Sequence, residues 1–336
     1  MKIMNEKINL FLENDNALKN IKGSWNMYEV QKKCSALEVT IKNNKIDSER
    51  INLALQKIKE NTSVFSNFRG TNRLTTAITI SLEEDMESSL KEIISIYDKL
   101  KEEFSSSEYL IIASQIIFNA RYRVDVDLAV RNTKVAYDYM RKSHRFLTGR
   151  EDISSAAIIA TTSSDIEKTF TDIEECYELI KREKISSSNN IQALSHILSL
   201  INLSSKDKCE KVIEMYYVLK ENKVPLKDFY LPLLGIVSFL TDNKEGFTKN
   251  VVELSKELKT HKGFGNFALG SQLRNMLSTV LVSMEYLDNL DNDLKDSLID
   301  STNNVALTVV IAMQTAIIAA SSAAAVSAAA SSASSS

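Results

Sequence analysis

The most irregular passage of the sequence, Ser63-Val64-Phe65-Ser66-Asn67-Phe68-Arg69-Gly70-Thr71-Asn72-Arg73, packs two aromatics, two arginines and a glycine between helical stretches. Arg69 and Arg73 beside a glycine-freed backbone suit recognition of a carboxylate or phosphate, because a guanidinium presents a planar fork of donors. The competing reading gives Arg69 a structural task, tying down helix ends. His196, within Leu194-Ser195-His196-Ile197-Leu198, is a second candidate, a ligand or base facing a groove. Against it stands a partly buried histidine bonded to a backbone carbonyl, since no Asp, Glu or Cys shares its helix face at metal-ligand spacing. His144 opens His144-Arg145-Phe146-Leu147-Thr148, just past a helix end, where a base complements the negative pole of the helix. His261 follows a later helix in the same way.

Beyond Arg69, Arg73, His144 and His196, the sequence offers little to chemistry. It contains no GxGxxG, GxxxxGK[ST], HExxH or GxSxG. Cys34, Cys176 and Cys209 are odd in number and form no CxxC pair, which favours a reducing compartment. Cys176 and Cys209 stand at apolar stripe positions, as core residues do rather than nucleophiles. No metal, no cofactor and no catalytic residue is expected, and the reading leans away from an enzyme. A net charge of −3 with interspersed acids and bases offers nucleic acid no basic field. Glu6, Lys7, Glu13 and Asp15 interrupt the opening before a signal-peptide apolar core can form, so a cytoplasmic location is expected.

The elements that must position these residues announce themselves by repetition. A phrase centred on Tyr97, Tyr137, Tyr177 and Tyr216, with Ser255 in the fifth slot, returns every 39 or 40 residues. Before each centre stand Ile96, Ala136, Cys176, Met215 and Leu254, and four before it Ile93, Thr133, Ile173, Val212 and Val251. Three and four after it come Leu100-Lys101, Met140-Arg141, Ile180-Lys181, Leu219-Lys220 and Leu258-Lys259. This is the apolar stripe of an amphipathic helix in a repeat array. Nineteen residues before each centre lies a second apolar register, Ile78, Phe118, Ile158, Ile197 and Ile236, preceded mostly by small residues. Two registers at constant distance predict five helical hairpins, about 72–104, 108–147, 151–186, 189–224 and 227–264, and then a helix from Leu273 to Leu290. Their place in the stripe makes the tyrosines a packing seam rather than a ladder for stacking bases.

The fold expected is all-α, a right-handed α-solenoid-like stack of about five hairpins. Residues 1–68 form an N-terminal helical cap, with a turn at Asn43-Asn44-Lys45 and Asp47 as an N-cap. Residues 72–290 form the repeat domain. Residues 301–336 carry no charge and are rich in Ala and Ser. They read as a C-terminal helix covering the last hairpin, with self-association or membrane attachment as alternatives. The membrane reading is not favoured: the strongly apolar part is short, Gln314 interrupts it, and no Lys or Arg follows.

The segments Phe65–Leu74, His144–Thr148, Ala193–Leu198 and Lys262-Gly263-Phe264-Gly265, with the charge-free end, resemble a bacterial family of uncharacterised helical proteins, the domain of unknown function 4003 family. The resemblance runs from about Leu53 to Tyr286. It implies a soluble bacterial cytoplasmic protein and carries over no activity, cofactor or catalytic residue. The function expected is a non-catalytic protein-interaction scaffold, since hairpin arrays offer extended surfaces. The alternatives are a small-molecule or anion-binding protein, or an enzyme, centred on Arg69, Arg73 and His196, and a membrane-attached scaffold using the tail.

Overall fold

A computed structural model describes residues 2–23, 29–70 and 72–288. Residues 301–336, on which the three readings of the uncharged tail depend, lie outside them. The described residues form fourteen α-helices and no strand. Three helices come first: α1 (Lys2–Leu18), α2 (Glu29–Ile41) and α3 (Ser48–Asn61). Asp47 accepts from the amides of Glu49 and Arg50 at the start of α3, as an N-cap does. Asn43 takes a left-handed φ of 54° in the turn before it, a conformation that asparagine tolerates better than most residues.

The helices of the repeats follow in the expected order along the chain. They are α4 (Arg73–Ser81) and α5 (Met86–Glu103), α6 (Glu108–Ala120) and α7 (Val126–Ser143), then α8 (Asp152–Thr162) and α9 (Ile166–Arg182). Next come α10 (Ser188–Leu198) with α11 (Ser205–Glu221), then α12 (Leu234–Val237) with α13 (Lys244–Thr260), and finally α14 (Ser271–Asp288). Asp85, Asp165, Ser204 and Asn243 cap the second helices, each accepting from an amide two or three residues on. The first helix of the fifth hairpin departs from the others. Most of it is a 3-10 turn, Asp228–Leu233, because Pro232 has no N–H to donate and its ring crowds the preceding turn.

Backbone proximity divides the chain into two compact units. Among the described residues one holds Asn9–Lys142 and Thr148–Thr161; the other holds residues 2–8, Ser143–Leu147 and 162–288. In the first, α3 packs on α4 and α5, α2 on α4, and α5 on α6. The helices before the repeats therefore pack directly on the first helices of the repeat region. In the second unit α9 packs on α10 and α11, α11 on α12 and α13, and α13 on α14. Helices α3, α9 and α11 each lie against the next helix but one as well as the next, whereas α5 packs on α6.

The two registers supply the core. Ile93, Ile96 and Leu100 in α5, Ile173, Cys176 and Ile180 in α9, and Val212, Met215 and Leu219 in α11 are buried, as are Ile78, Phe118, Ile158, Ile197 and Ile236. Tyr97, Tyr177 and Tyr216 are buried with them, while Tyr137 is half-buried. Each buried tyrosine carries the base four residues on over its ring: Lys101 at 5.7 Å from Tyr97, Lys181 at 5.0 Å from Tyr177 and Lys220 at 5.5 Å from Tyr216. The ring is thus packed on one side and covered by a cation on the other, a contact of roughly 0.5–1 kcal/mol at such exposure. In the fifth slot Ser255 donates to Oδ1 of Asn275 on α14 at 3.1 Å, a hydrogen bond in place of a ring.

Candidate functional site

Local structure stops being regular at the junctions between repeats; Arg69 and His144 lie in such junctions, Arg73 opens α4, and His196 lies within α10. Three junctions are long: 62–72 after α3, 144–151 after α7 and 261–270 after α13. Each is pinned by a buried or stacked ring. In the first, Ser66 caps the 3-10 turn Asn67–Arg69 and Phe68 is buried edge-on against Tyr97, 5.1 Å between centroids. Asn67 donates to Tyr97 Oη at 3.0 Å and to Ser106 Oγ at 2.9 Å. In the second, His144 stacks on Tyr177 at 4.3 Å and its Nε2 lies 2.9 Å from Glu174 Oε2. In the third, Phe264 is buried, and Arg274 of α14 donates to its carbonyl at 3.0 Å and to Asn266 Oδ1 at 2.9 Å.

The same loops turn a second ring outward. Phe65 is 97% exposed, Phe146 98% and Phe267 109%. These are not loose ends of chain, because the neighbouring ring and the guanidinium contacts fix the loop that carries them. Burying a phenylalanine is worth about 1.5–3 kcal/mol, and each of these forgoes it. Singly exposed apolar residues are ordinary; three at the corresponding junction, separated by two and three repeat periods, are a pattern. Periodicity within helices could not reveal it, but the intervals of 81 and 121 residues are readable in the sequence.

Arg69 does the structural task. Its guanidinium donates to the carbonyls of Lys59 and Thr62 and to Thr62 Oγ1, closing the C-terminal end of α3. Arg73, four residues on, does something else: it lines a cavity of about 410 Å³ together with Lys22 and Lys59. His144 lies near His196, and the two are not a solvent-facing pair. His196 is buried in α10, and its Nδ1 has no hydrogen-bond partner among the described residues. Burial, and secondarily the nearby charge of His144, push its pKa down to about 3. It is a neutral core histidine at ordinary pH. Cys34 is buried and its thiol pushed up to about 12 by that burial; Cys176 is also shifted upward, by hydrogen bonding with Cys209 and by burial. Neither has the thiolate character of a nucleophile. Among the described residues no group of three His, Cys, Asp or Glu could hold a metal, and no helix is long and apolar enough to cross a membrane.

Residues 14–316 match the family described as protein of unknown function, DUF4003. The chain belongs to that family. No curated protein and no solved structure matches it. For this DUF4003 member the geometry of its own residues is therefore the guide to what it does.

Two buried groups give the DUF4003 chain opposing responses to pH. His196 is unprotonated in the folded state down to about pH 3, whereas the unfolded chain takes up that proton near 6.5. Stability from this group is complete above pH 6.5 and falls as pH drops, by at most about 1.4 kcal/mol per unit. Asp152, at the start of α8, has its pKa raised to about 7 by burial, although the Gly149 amide donates to it at 2.9 Å. The folded state holds a proton that the unfolded chain loses near 3.8, so stability from this group falls as pH rises from about 4 to 7. The two slopes oppose each other between about pH 4 and 6.5. Denaturant titrations across that window should find a nearly level profile for the native sequence. His196→Gln should lose stability toward pH 7, and Asp152→Asn should lose it toward pH 4; parallel profiles would refute both assignments.

Proposed function

We propose that this chain is a protein-interaction module of the helical-repeat type, and that its contacts are made by the junction loops. The observation that carries this reading is the near-complete exposure of Phe65, Phe146 and Phe267 on loops that other side chains hold in place. Rings of this size, on loops that other side chains hold, are what interface hot spots are built from, because less entropy is lost when a partner's pocket receives them. Bases stand close in the chain to each ring: Arg69, then His144, Arg145 and Arg150, then His261 and Lys262. A partner whose apolar pockets are rimmed by acids would meet both features. The buried, unpaired thiols of Cys34, Cys176 and Cys209 support a cytoplasmic setting, and the balanced charge supports a protein rather than a nucleic acid as partner.

The test is a comparison of the native chain with a variant in which all three phenylalanines become serine. Because the rings touch solvent, the variant should keep its helical signal and melting temperature. Partners captured from the native cell by the unaltered chain should be missing from the variant's capture. An identical set of partners would end this reading.

A further inference from the structure

We propose that the cleft between the end of α1, the face of α3 and the start of α4 is a binding site for a small organic phosphate. It is lined by Lys22, Gly23, Asn52, Leu55, Gln56, Lys59 and Arg73 and has a volume of about 410 Å³, within the range of small-ligand sites. Among the described residues, the ionisable groups of its lining are three bases and no acid. None of the three forms an ion pair among the described residues, although this chain pairs its bases freely elsewhere: Lys57 with Glu87, Arg121 with Glu83, Lys244 with Glu214. Three bases without a carboxylate partner around one concavity make a positive potential that attracts an anion.

The parts divide the work by chemistry. Arg73 offers a planar fork for two oxygens of one phosphate, and Lys22 and Lys59 act as point charges at the rim. Arg73 is free for this because Arg69 takes the carbonyls at the end of α3. Asn52 accepts from the Lys22 amide through Oδ1 at 2.8 Å, which fixes the turn carrying Lys22 and leaves the carboxamide NH₂ as a donor. The turn itself depends on Gly23, whose φ of 77° disfavours other residues. Gln56 donates to Glu60 at 2.7 Å, so that carboxylate is already engaged. Leu55 provides an apolar wall for an organic body. A threefold positive lining suits phosphate or diphosphate, which carry two or more charges, better than a single carboxylate.

Pyrophosphate is the probe, titrated into the full chain by calorimetry at constant ionic strength, with inorganic phosphate and acetate in parallel. Saturable one-site binding of pyrophosphate, weaker binding of phosphate and none of acetate are expected. The double variant Lys22→Gln/Lys59→Gln alters only exposed side chains and should fold as the native chain does while losing affinity about tenfold or more, as loss of charge-assisted contacts implies. Arg73→Gln should lose at least as much. Absence of saturable pyrophosphate binding in the millimolar range would overturn the proposal. So would equal affinity in the native chain and the double variant. Neither result depends on the junction phenylalanines.

Discussion

Replacing Tyr177 by Ala should lower the free energy of unfolding by about 3–5 kcal/mol, the range for deleting a large buried aromatic. Tyr177 is 2% exposed and stands at the centre of the repeat phrase in α9. Its ring meets both His144 and Lys181, so truncation removes a packed ring from among its neighbours. Tyr177→Phe keeps the ring and should cost far less. Lys181→Ala should cost up to about 1 kcal/mol rather than nothing, because the ammonium covers the ring. An exposed base without such a contact, Lys256, should cost under about 0.5 kcal/mol. Urea titration of the four variants gives the ranking; equal losses for Tyr177→Ala and Lys256→Ala would mean that the tyrosines are not the seam.

The second large effect belongs to a buried cation. Lys208 of α11 is 1% exposed, contacts Asp172 Oδ2, and donates to the carbonyls of Leu198 at 3.1 Å and Ile201 at 3.4 Å. Asp172 also lies 2.8 Å from the hydroxyl of Ser205. Its carboxylate therefore joins α9 to the start of α11 and neutralises an ammonium that cannot reach water. Asp172→Asn should cost about 3 kcal/mol, since removing one partner strands the other charge in the core. Lys208→Met together with Asp172→Leu should restore most of that loss, because no charge is left buried. Melting curves of the single and double variants decide it: a double variant worse than Asp172→Asn would show that the pair contributes more than mutual neutralisation.

How much of this the residues declare depends on how local the cause is. The hairpins were legible because an apolar stripe is a local pattern, and Asp47 and Asn43 because caps and left-handed turns are made within a few residues. The base after each phrase was legible as a position but not as a contact; only the helix places Lys101, Lys181 and Lys220 over the rings. Pro232 was legible in principle, since proline inside a first helix forbids a regular turn there. Lys208 was not. Its burial depends on Asp172, 36 residues away on another helix, and no local pattern records that partnership.

The candidate sites follow the same division. Arg69 and Arg73 look alike in the sequence, yet the end of α3 occupies one and leaves the other facing a cleft. Lys22 and Lys59 carry no local signal, because they reach that cleft only when α1, α3 and α4 are assembled. His196 attracted notice by its residue type, and burial makes it a core residue instead. The exposed phenylalanines carry no local signal for the opposite reason: an aromatic residue is expected inside, and only the structure shows that Phe68 is inside while Phe65 is not.

The account rests on each junction ring being a point of contact with a partner, and site-specific photocrosslinking in the native cell tests it most directly. A photoreactive phenylalanine analogue placed at position 65, 146 or 267 should each time yield a discrete crosslinked protein, and at position 256 on the exposed face of α13 none. Crosslinks from 256 alone, or from none of the three ring positions, would contradict it.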